Sequence, residues 1–534
     1  MQNVQILDCT LRDGGRIFEC RFDDKTIFNM TKDLTFAGID IVELGFLRDG
    51  KLTEYKGNST FFTEISQIKP FVPKECRETM FVAFIDYGMY NFEELEVCDG
   101  MISGLRVGFT KRQFDTQRDE ILKALLSVKE KGYALFVQGV NSLAYTDREL
   151  LDLIDMINEI EPYSYGIVDT YGGMYLEDLV HFYNVVDYNL DTGVCIDIHS
   201  HNNFQSSFAF AQEIIRLAEG KRNIILDATL NGMGKCAGNL NTELIADYLT
   251  RKKNGDYDLD KILDVIDRYL LPLKNKYCWG YSIPAFMAGI YKAHPNNIIY
   301  LTEKYRLNSK DIKYIISGIE EDTRQKYDYE NIQRIYRRYN ENLIDDSHVV
   351  AELKKKLESS SVLVLVPGRT IGIYHDKIVE YIDREDPVII SVNFVPKDIV
   401  CDLYFYANTI HWEKVCEEIE RNKCIVTSNV HTETDATMLV DYVSLISEDS
   451  YLYDNSTIML LNLLKRLDVS KICLAGFDGL KENEDNYIDA GFPNVNDGVA
   501  VKRINKEVEK LYGRYKNKVA GKIDVLLLTP SIYE

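Results

Sequence analysis

Eight short runs rich in β-branched and aromatic residues occur in the first 255 residues, and amphipathic helical patterns separate them. Several helical patterns begin at Asp, Thr or Ser and end in Gly, residues that commonly cap helices. Eight strand–helix units predict a closed (β/α)8 TIM barrel. An open, doubly wound sheet is the alternative, because periodicity alone does not distinguish the two. The runs are VQILDCT, IDIVELGFL, TMFVAFIDY, ISGLRVGFT, YALFVQGV, YGIVDTY, VCIDIHSH and NIILDATL.

The strand pattern stops after the eighth run. The segments LDKILDVIDRYLLPL, NSKDIKYIISGIEE and YENIQRIYRRYNENL have helical periodicity, and an aromatic segment, YCWGYSIPAFMAGIYKAHPNN, follows the first of them. Residues 256–354 are therefore predicted to form a helical annex and linker. A new α/β pattern then predicts a Rossmann-like α/β domain at 355–534. Its strand candidates are SVLVLVPGRTIG, PVIISVNFV, CDLYFYAN, KCIVTSN, YVSLIS and KICLAGFDG.

Composition limits the class of protein. The 534 residues are 46% hydrophobic and 27% charged, and no run is apolar for long enough to span a bilayer. The start, MQNVQILDCT, lacks the regions of a signal peptide, and the eleven cysteines are scattered without a CxxC pair. We therefore expect a cytoplasmic protein with reduced cysteines. The net charge of −22 argues against nucleic acid or an anionic membrane as the main partner.

Two of the chain's eight histidines stand one residue apart in the stretch DIHSHNN. Alternate side chains of a strand share a face, so His199 and His201 are expected to point the same way. They fall at the carboxyl end of the seventh predicted strand, the end at which TIM barrels carry their chemistry. A pair of hydrogen-bonded core histidines is the alternative. Two imidazoles on one face of a strand end favour a metal site.

Barrel closure predicts further ligands for this site. The first strand neighbours the eighth, which in turn neighbours the seventh. The first ends in LDCTLRDGG, which places Asp13 at the barrel mouth, and Asn239 lies after the eighth, at the start of the next predicted helix. One carboxylate, two imidazoles and an amide oxygen form a mixed N/O set without a thiolate. Such a set suits a borderline-to-hard divalent ion rather than structural zinc.

The motifs LDCTLRDGG, VELGF, DIHSHNN and GMGKCAGNLNTE, in this order, resemble the DRE-TIM metallolyase superfamily, whose HMGL-like members include hydroxymethylglutaryl-CoA lyase, isopropylmalate synthase and 4-hydroxy-2-oxovalerate aldolase. The likeness covers about the first 250 residues, and the annex segment WGYSIPAFMAGIYKAHPNN is most similar to the aldolase branch. The resemblance implies a TIM barrel and a divalent metal, Mn²⁺ or Mg²⁺. It also implies an enzyme that makes or breaks a carbon–carbon bond.

The resemblance also implies roles for matching positions. The metal ligands would be Asp13, His199, His201 and Asn239. Arg12 would steady an enolate oxygen, Glu43 matches an acidic position implicated in lyase members, and Thr170 matches a residue near the substrate carboxylate. A 2-oxo acid chelates a divalent ion through its carbonyl and carboxylate oxygens, which explains these residue types. A structural ion pair is a credible alternative for Glu43.

One position departs from the aldolase pattern. Aldolases of this kind carry a histidine, expected to be the general base, just after the RDG turn, where this chain has Arg16. Arginine stays protonated and is a poor base. Proton transfer would then fall to a metal-bound water, Glu19, Glu43 or a nearby tyrosine, or the reaction differs from that of the aldolases. Arg16 could bind an anionic substrate, although a solvated surface arginine is the alternative. The lyase branch uses a cysteine in its strand-eight loop, a role that we do not transfer to Cys236.

The leading hypothesis is a metal-dependent aldolase that cleaves or condenses a 2-oxo acid such as pyruvate with an aldehyde. A Claisen-type acyl-CoA enzyme of the same superfamily is one alternative. The other is a non-catalytic protein that binds a nucleotide or sugar. The C-terminal domain has no GxGxxG or Walker motif and equally fits an oligomerisation or docking role. A homodimer is expected by analogy with related barrels.

Overall fold

The structure is a computed structural model, which describes residues 4–75, 78–305, 309–326, 328–340, 343–358, 360–430, 438–446, 455–482, 484–488 and 498–534. The chain forms two compact units. The first contains residues 1–302 and 309–327, and the second contains residues 303–308 and 328–534. No helix among the described residues is long and apolar enough to cross a membrane.

The first unit contains a barrel of eight parallel strands, each paired with its sequence neighbours. The strands are β1 (Val4–Asp8), β2 (Ile41–Leu47), β3 (Met80–Asp86), β4 (Gly104–Thr110), β5 (Ala134–Val140), β6 (Ser164–Asp169), β7 (Cys195–Ser200) and β8 (Ile224–Ala228). Strand β1 pairs with both β2 and β8, so Leu7 lies opposite Ile41 on one side and Asp227 on the other. This double pairing closes the sheet. The predicted closed barrel is confirmed, and the open sheet is excluded. A two-residue strand, Phe61–Phe62, also pairs with β2.

Helices alternate with the strands, and their apolar faces share one large core with them. Threonine N-caps with full capping boxes start two of the helices, at Thr110 and Thr146, as the predicted cap pattern requires. The helices of this region are α1 (Asp24–Phe36), α2 (Ile65–Ile68), α3 (Lys111–Glu130), α4 (Asp147–Ile160), α5 (Leu176–Asn189), α6 (Ser207–Ala218) and α7 (Thr242–Lys253).

The predicted annex is helical. It contains α8 (Leu259–Val265), a π-helical turn (Ile266–Leu270), α9 (Leu271–Lys274), α10 (Ile283–Ile290), α11 (Pro295–Tyr305), α12 (Ser309–Ser317) and α13 (Glu321–Arg324). The predicted helix over YENIQRIYRRYNENL appears as α14 (Tyr329–Asn340), which belongs to the second unit together with α15 (Ser347–Leu357). The proposed domain start at residue 355 falls within α15.

The second unit is built on an open sheet of seven parallel strands, which confirms the Rossmann-like α/β prediction. The order is β13-β12-β11-β10-β9-β14-β15. The order reverses between β9 and β14, as in doubly wound folds. The strands are β9 (Ser361–Leu365), β10 (Val388–Val392), β11 (Leu403–Tyr406), β12 (Cys424–Thr427), β13 (Met438–Val440), β14 (Lys471–Ala475) and β15 (Asp524–Leu527). The helices are α16 (Thr370–Ile373), α17 (His375–Glu385), α18 (Thr409–Val415), α19 (Ser456–Arg466) and α20 (Gly498–Val519).

One strand prediction in this unit is wrong. The segment YVSLIS was expected to be a strand, but β13 ends at Val440, before that segment begins. Asp441 accepts hydrogen bonds from the backbone nitrogen of Ser444 through its side chain and from the Ser444 hydroxyl through its carbonyl. These local bonds form a turn in place of the strand ladder. The last strand, β15, was not predicted.

Candidate active site

The two histidines of DIHSHNN lie side by side at the mouth of the barrel. Strand β7 ends at Ser200, between them, and their ring centroids are 5.3 Å apart. Asp13 lies in the turn after β1, and its Oδ2 is 3.8 Å from Nε2 of His201. One ligand atom from each of Asp13, His199 and His201 lies within 4.8 Å of the others. Three of the four predicted ligands are therefore brought together.

The fourth, Asn239, lies in the loop between β8 and α7 rather than at the start of that helix, and it forms an isolated bridge with His201. Its Nδ2 donates to Asp13 Oδ2 at 3.0 Å, whereas its Oδ1 is buried with no hydrogen-bond partner among the described residues. Glycines let the loop fold this tightly, because a Cβ on Gly238, at a φ of +76°, would lie 1.8 Å from the carbonyl oxygen of Gly232. A buried amide oxygen without a donor fits a metal ligand.

The protonation states suit a cation. Burial raises the pKa of Asp13, but the positive charges of Arg12 and the histidines outweigh this effect and hold it well below its usual range. Burial lowers the pKa of His199 and that of His201 to about 4. At neutral pH the site therefore offers an ionised carboxylate and two neutral imidazoles, the forms that bind metal. We conclude that Asp13, His199, His201 and Asn239 fit a divalent ion.

A second trio, Cys9, His199 and Asp227, also brings its ligand atoms within 4.8 Å of one another. Burial raises the pKa of the Cys9 thiol well above its usual range, so no thiolate is available there. Asp227 Oδ2 is already taken by His199 Nδ1 at 2.8 Å and by Arg106 Nη2 at 2.5 Å. This trio orients His199 and leaves its Nε2 available to the metal site.

A buried network of charges lies beneath the metal site. Arg106 on β4 is completely buried, and its guanidinium contacts three carboxylates from other strands. They are Glu43 at 3.2 Å, Asp197 at 3.0 Å and Asp227 at 2.5 Å. Gln138 also donates to Asp197, at 2.6 Å. Sequence reasoning missed this network, although a lone arginine or aspartate inside an apolar strand was a readable signal for it.

Arg12 connects this network to the metal site. Its Nε donates to Glu43 at 2.6 Å and its Nη1 to Asp13 at 2.7 Å, and it stacks over the ring of Phe84 at 4.5 Å. Arg12 is 4% exposed and lines the cavity at the barrel mouth, whereas Glu43 is fully buried. Glu43 is not among the described residues that line that cavity. Its observed contacts are those of a residue that positions Arg12 rather than one that meets a substrate.

The cavity above the site has a volume of about 440 Å³. Two predicted substrate-binding residues, Arg16 and Thr170, line it. Thr170 Oγ1 accepts a hydrogen bond from the Asn141 nitrogen at 2.8 Å, so its hydroxyl hydrogen remains to donate elsewhere. Cys236 also lines the cavity, but burial raises the pKa of its thiol to about 12, so it is protonated at neutral pH.

Some of the groups considered for proton transfer line the cavity, and others do not. Glu19 pairs with Arg21 in an exposed groove beside the cavity, and Glu43 is buried beneath it. Tyr87 and Tyr171 line the cavity. Burial raises the pKa of Tyr171 to about 12, so its phenol is protonated at neutral pH.

His294, in the annex, also lines the cavity, and sequence reasoning did not assign it a role. Burial, together with the positive charges of Lys235 and Arg16, lowers the pKa of His294 to about 4, so the ring is neutral at physiological pH. Its Nδ1 accepts from the Asn296 nitrogen at 3.2 Å, which leaves the ring proton on Nε2. The likeness of its segment, WGYSIPAFMAGIYKAHPNN, to the aldolase branch was the signal in the sequence that pointed towards this residue.

Comparison with known proteins agrees with this geometry. The HMGL-like family model matches residues 3–268. The 4-hydroxy-2-oxovalerate aldolase of Bacillus cereus is 22% identical over 317 residues, which cover 58% of this chain and 89% of the aldolase. The oxaloacetate decarboxylase of Mycobacterium tuberculosis is 24% identical over 260 residues, with coverages of 48% and 74%.

Among solved structures, the N-terminal domain of a candidate aldolase from Bacteroides vulgatus is 23% identical and superposes with a TM-score of 0.49, covering 56% of this chain and 96% of that domain. The resemblance found in the sequence motifs is confirmed by the family match. Residues 3–268 are an HMGL-like domain, and on this ground the chain is an enzyme.

Proposed function

We propose that this protein is a divalent-metal-dependent aldolase that joins a 2-oxo acid such as pyruvate to an aldehyde, or cleaves the product. The observation that carries the proposal is the contact between Arg12 and Asp13 at 2.7 Å, which places an oxyanion-binding guanidinium directly beside the proposed metal ligands. Mn²⁺ and Mg²⁺ are the expected ions, since both accept oxygen ligands and open water positions.

The ion, when bound, polarises the carbonyl group of the 2-oxo acid. The protein side chains orient the same substrate. Thr170 has a hydroxyl hydrogen to donate to the substrate carboxylate, and Arg12 has its guanidinium beside the place where enolate charge develops. Glu43 and Phe84 hold that guanidinium in one position before any substrate arrives. Such preorganised donors are usually a large part of catalysis in reactions of this kind.

The carbon chemistry balances without a redox step. In the condensation direction the C3–H bond of the 2-oxo acid breaks, its proton passes to water, and its electron pair forms the new bond to the aldehyde carbon. The aldehyde oxygen then takes a proton, so a 4-hydroxy-2-oxo acid forms with no net gain or loss of protons. We place His294 at that oxygen, because its neutral ring carries a proton on Nε2 and lines the cavity.

The names of the similar proteins support the choice of substrate. 4-Hydroxy-2-oxovalerate and oxaloacetate are both 2-oxo acids. The cavity of about 440 Å³ has room for a second small molecule beside pyruvate. A homodimer and a cytoplasmic location stay predictions.

The test is deuterium exchange into the methyl group of pyruvate, followed by NMR on the full-length protein loaded with Mn²⁺ or Mg²⁺. Exchange reports enolate formation and requires no aldehyde. We expect metal-dependent exchange that is lost in Asp13→Ala and kept in Asp147→Ala, which removes an exposed carboxylate far along the chain on α4. Metal-loaded wild-type protein that does not exchange the methyl protons would refute the proposed reaction.

A further inference from the structure

A groove of about 580 Å³ adjoins the active-site cavity, and Arg16 and Lys235 line both spaces. Arg48 lines the groove beside them. The two arginines lie on a common aromatic surface. The Arg16 guanidinium is 4.6 Å from the ring centroid of Phe46, and that of Arg48 is 5.3 Å from Phe46 and 3.9 Å from Phe61. Stacking on rings restrains both guanidinium groups. We call Arg16, Arg48 and Lys235 the inner cations.

Few carboxylates lie near the inner cations. Asp86 is 3.6 Å from Arg16 and 4.0 Å from Arg48. Asp13 is 3.4 Å from Arg16, but it also binds Arg12 and is a proposed metal ligand. Lys235 has no ion pair with any residue that the structure describes. Among the described residues, Asp86 is thus the one carboxylate within 4.0 Å of these three cations that is not also bound to Arg12.

Their hydrogen-bonding capacity is also incompletely used. The Nε atom of Arg48 is buried without a hydrogen-bond acceptor among the described residues, and that of Arg16 is buried with Asp13 Oδ1 at 3.4 Å but without hydrogen-bond geometry. Burial and the nearby Arg16 lower the pKa of Lys235, and the same two causes act on Arg48. Buried donors of like charge that repel one another are costly unless an anion joins them.

The outer part of the groove differs, since its cations already have partners. Arg21 pairs with Glu19, and Lys56 lies 2.9 Å from Glu54. All four of these side chains are largely exposed, so their charges are also screened by solvent. The excess of positive charge is confined to the inner end, next to the cavity.

We propose that Arg16, Arg48 and Lys235 form a subsite for the phosphate group of the second substrate, a short phosphorylated aldehyde. A phosphate monoester carries a charge of about −1.5 to −2 at neutral pH and three acceptor oxygens, which matches three cations less one carboxylate. A carboxylate carries a single negative charge and would balance only part of this excess of positive charge. Arg16 lines both the groove and the cavity, so the phosphate and the reacting carbonyl group lie a few bonds apart. The identity of the substrate rests on the proposed aldolase function, whereas anion binding does not.

The subsite is tested by calorimetric titration of the full-length protein with glycerol 3-phosphate, a phosphate ester that has no carbonyl group to react. Glycerate and glycerol serve as the carboxylate and neutral probes. Arg48→Gln should weaken glycerol 3-phosphate binding on the order of 10- to 100-fold, the usual effect of losing a hydrogen bond to a charged group. Lys235→Gln, which changes a loop side chain, should also weaken it. Arg21→Gln is the matched control, and its affinity should equal that of wild type.

The possible outcomes separate the two proposals. Glycerol 3-phosphate should bind wild type at least tenfold more tightly than glycerate, and glycerol should not bind. Equal affinity for glycerate, or full affinity in both Arg48→Gln and Lys235→Gln, would overturn the phosphate subsite. Wild-type protein that exchanges pyruvate protons but does not bind glycerol 3-phosphate also overturns the subsite while leaving the aldolase intact. Protein that binds the ester without exchange refutes the aldolase and keeps the anion site.

Discussion

His199 donates from Nδ1 to Asp227 Oδ2 across 2.8 Å, between the adjacent strands β7 and β8. This bond fixes the ring orientation and leaves Nε2 available to a metal ion. Carboxylates that hold a metal-binding histidine in this way increase its basicity, and their loss commonly reduces metal affinity about 10- to 100-fold.

Asp227→Asn should therefore weaken divalent-metal binding by roughly that factor, measured by competition with a chelator. Asp147→Asn is the matched control, because Asp147 forms a similar 2.8 Å contact with His181 on the exposed surface. Unchanged metal affinity in Asp227→Asn, with native circular dichroism, would remove Asp227 from the metal site.

The histidine pair itself gives a sharper test. His199→Ala combined with His201→Ala removes two of the four proposed ligands, so we expect binding of about one ion per chain to be lost. Elemental analysis after gel filtration measures the stoichiometry. His181→Ala, which changes an exposed histidine, should retain the metal. Full metal content in the double variant would contradict the ligand assignment.

Arg12→Lys should slow turnover much more than it weakens substrate binding. Lysine keeps the charge but loses the planar fork that contacts Glu43 and Asp13 at the same time. Loss of one oxyanion donor commonly costs about 100- to 1000-fold in kcat. Steady-state kinetics should show that loss with little change in KM. Near-normal kcat would argue against enolate stabilisation by Arg12.

Asp8 predicts a pH-dependent stability. Burial raises the pKa of its carboxyl group to about 6, although it accepts hydrogen bonds from Thr10 and Thr242. As the pH rises from about 4 to 6, the unfolded chain loses this proton before the folded chain does, so the free energy of unfolding decreases. Asp8→Asn has no carboxyl group at this position and therefore does not lose stability in this way. In urea titrations, the free energy of unfolding of Asp8→Asn relative to that of wild type should therefore be higher at about pH 6.5 than at about pH 4. A difference that is the same at both pH values would contradict the raised pKa.

The barrel should keep its chemistry without the second unit. All proposed ligands, Arg12 and His294 lie within residues 1–327, which include the first compact unit. The expressed fragment should fold, bind metal and exchange pyruvate protons at the rate of the full-length protein. A folded, metal-loaded fragment that has lost exchange would show that the second unit contributes to catalysis.

The fold was readable where it depends on local pattern. Short runs rich in β-branched and aromatic residues marked all eight barrel strands, because a strand buried against helices must be apolar along most of its length. The metal ligands could be inferred because Asp13, His201 and Asn239 follow strands that a barrel brings to one end, and His199 lies near the end of one of those strands. Closure could not be inferred in this way, since an open sheet has the same periodicity. It depends on the long-range pairing of β1 with both β2 and β8.

The remaining parts of the site depend on contacts between distant segments. Arg106 and Asp227 are 121 residues apart, and each looks locally like an exception in an apolar strand. Each charge would be unfavourable if it were buried alone, and the contact between them compensates both. The sequence pattern shows the two charged residues but not their contact. His294 was hidden in the same way, because a histidine in a helical annex has no periodicity that points to the barrel mouth. Strand and helix patterns follow from each segment's own side chains, whereas a buried charge is stable only beside partners that folding brings from elsewhere in the chain.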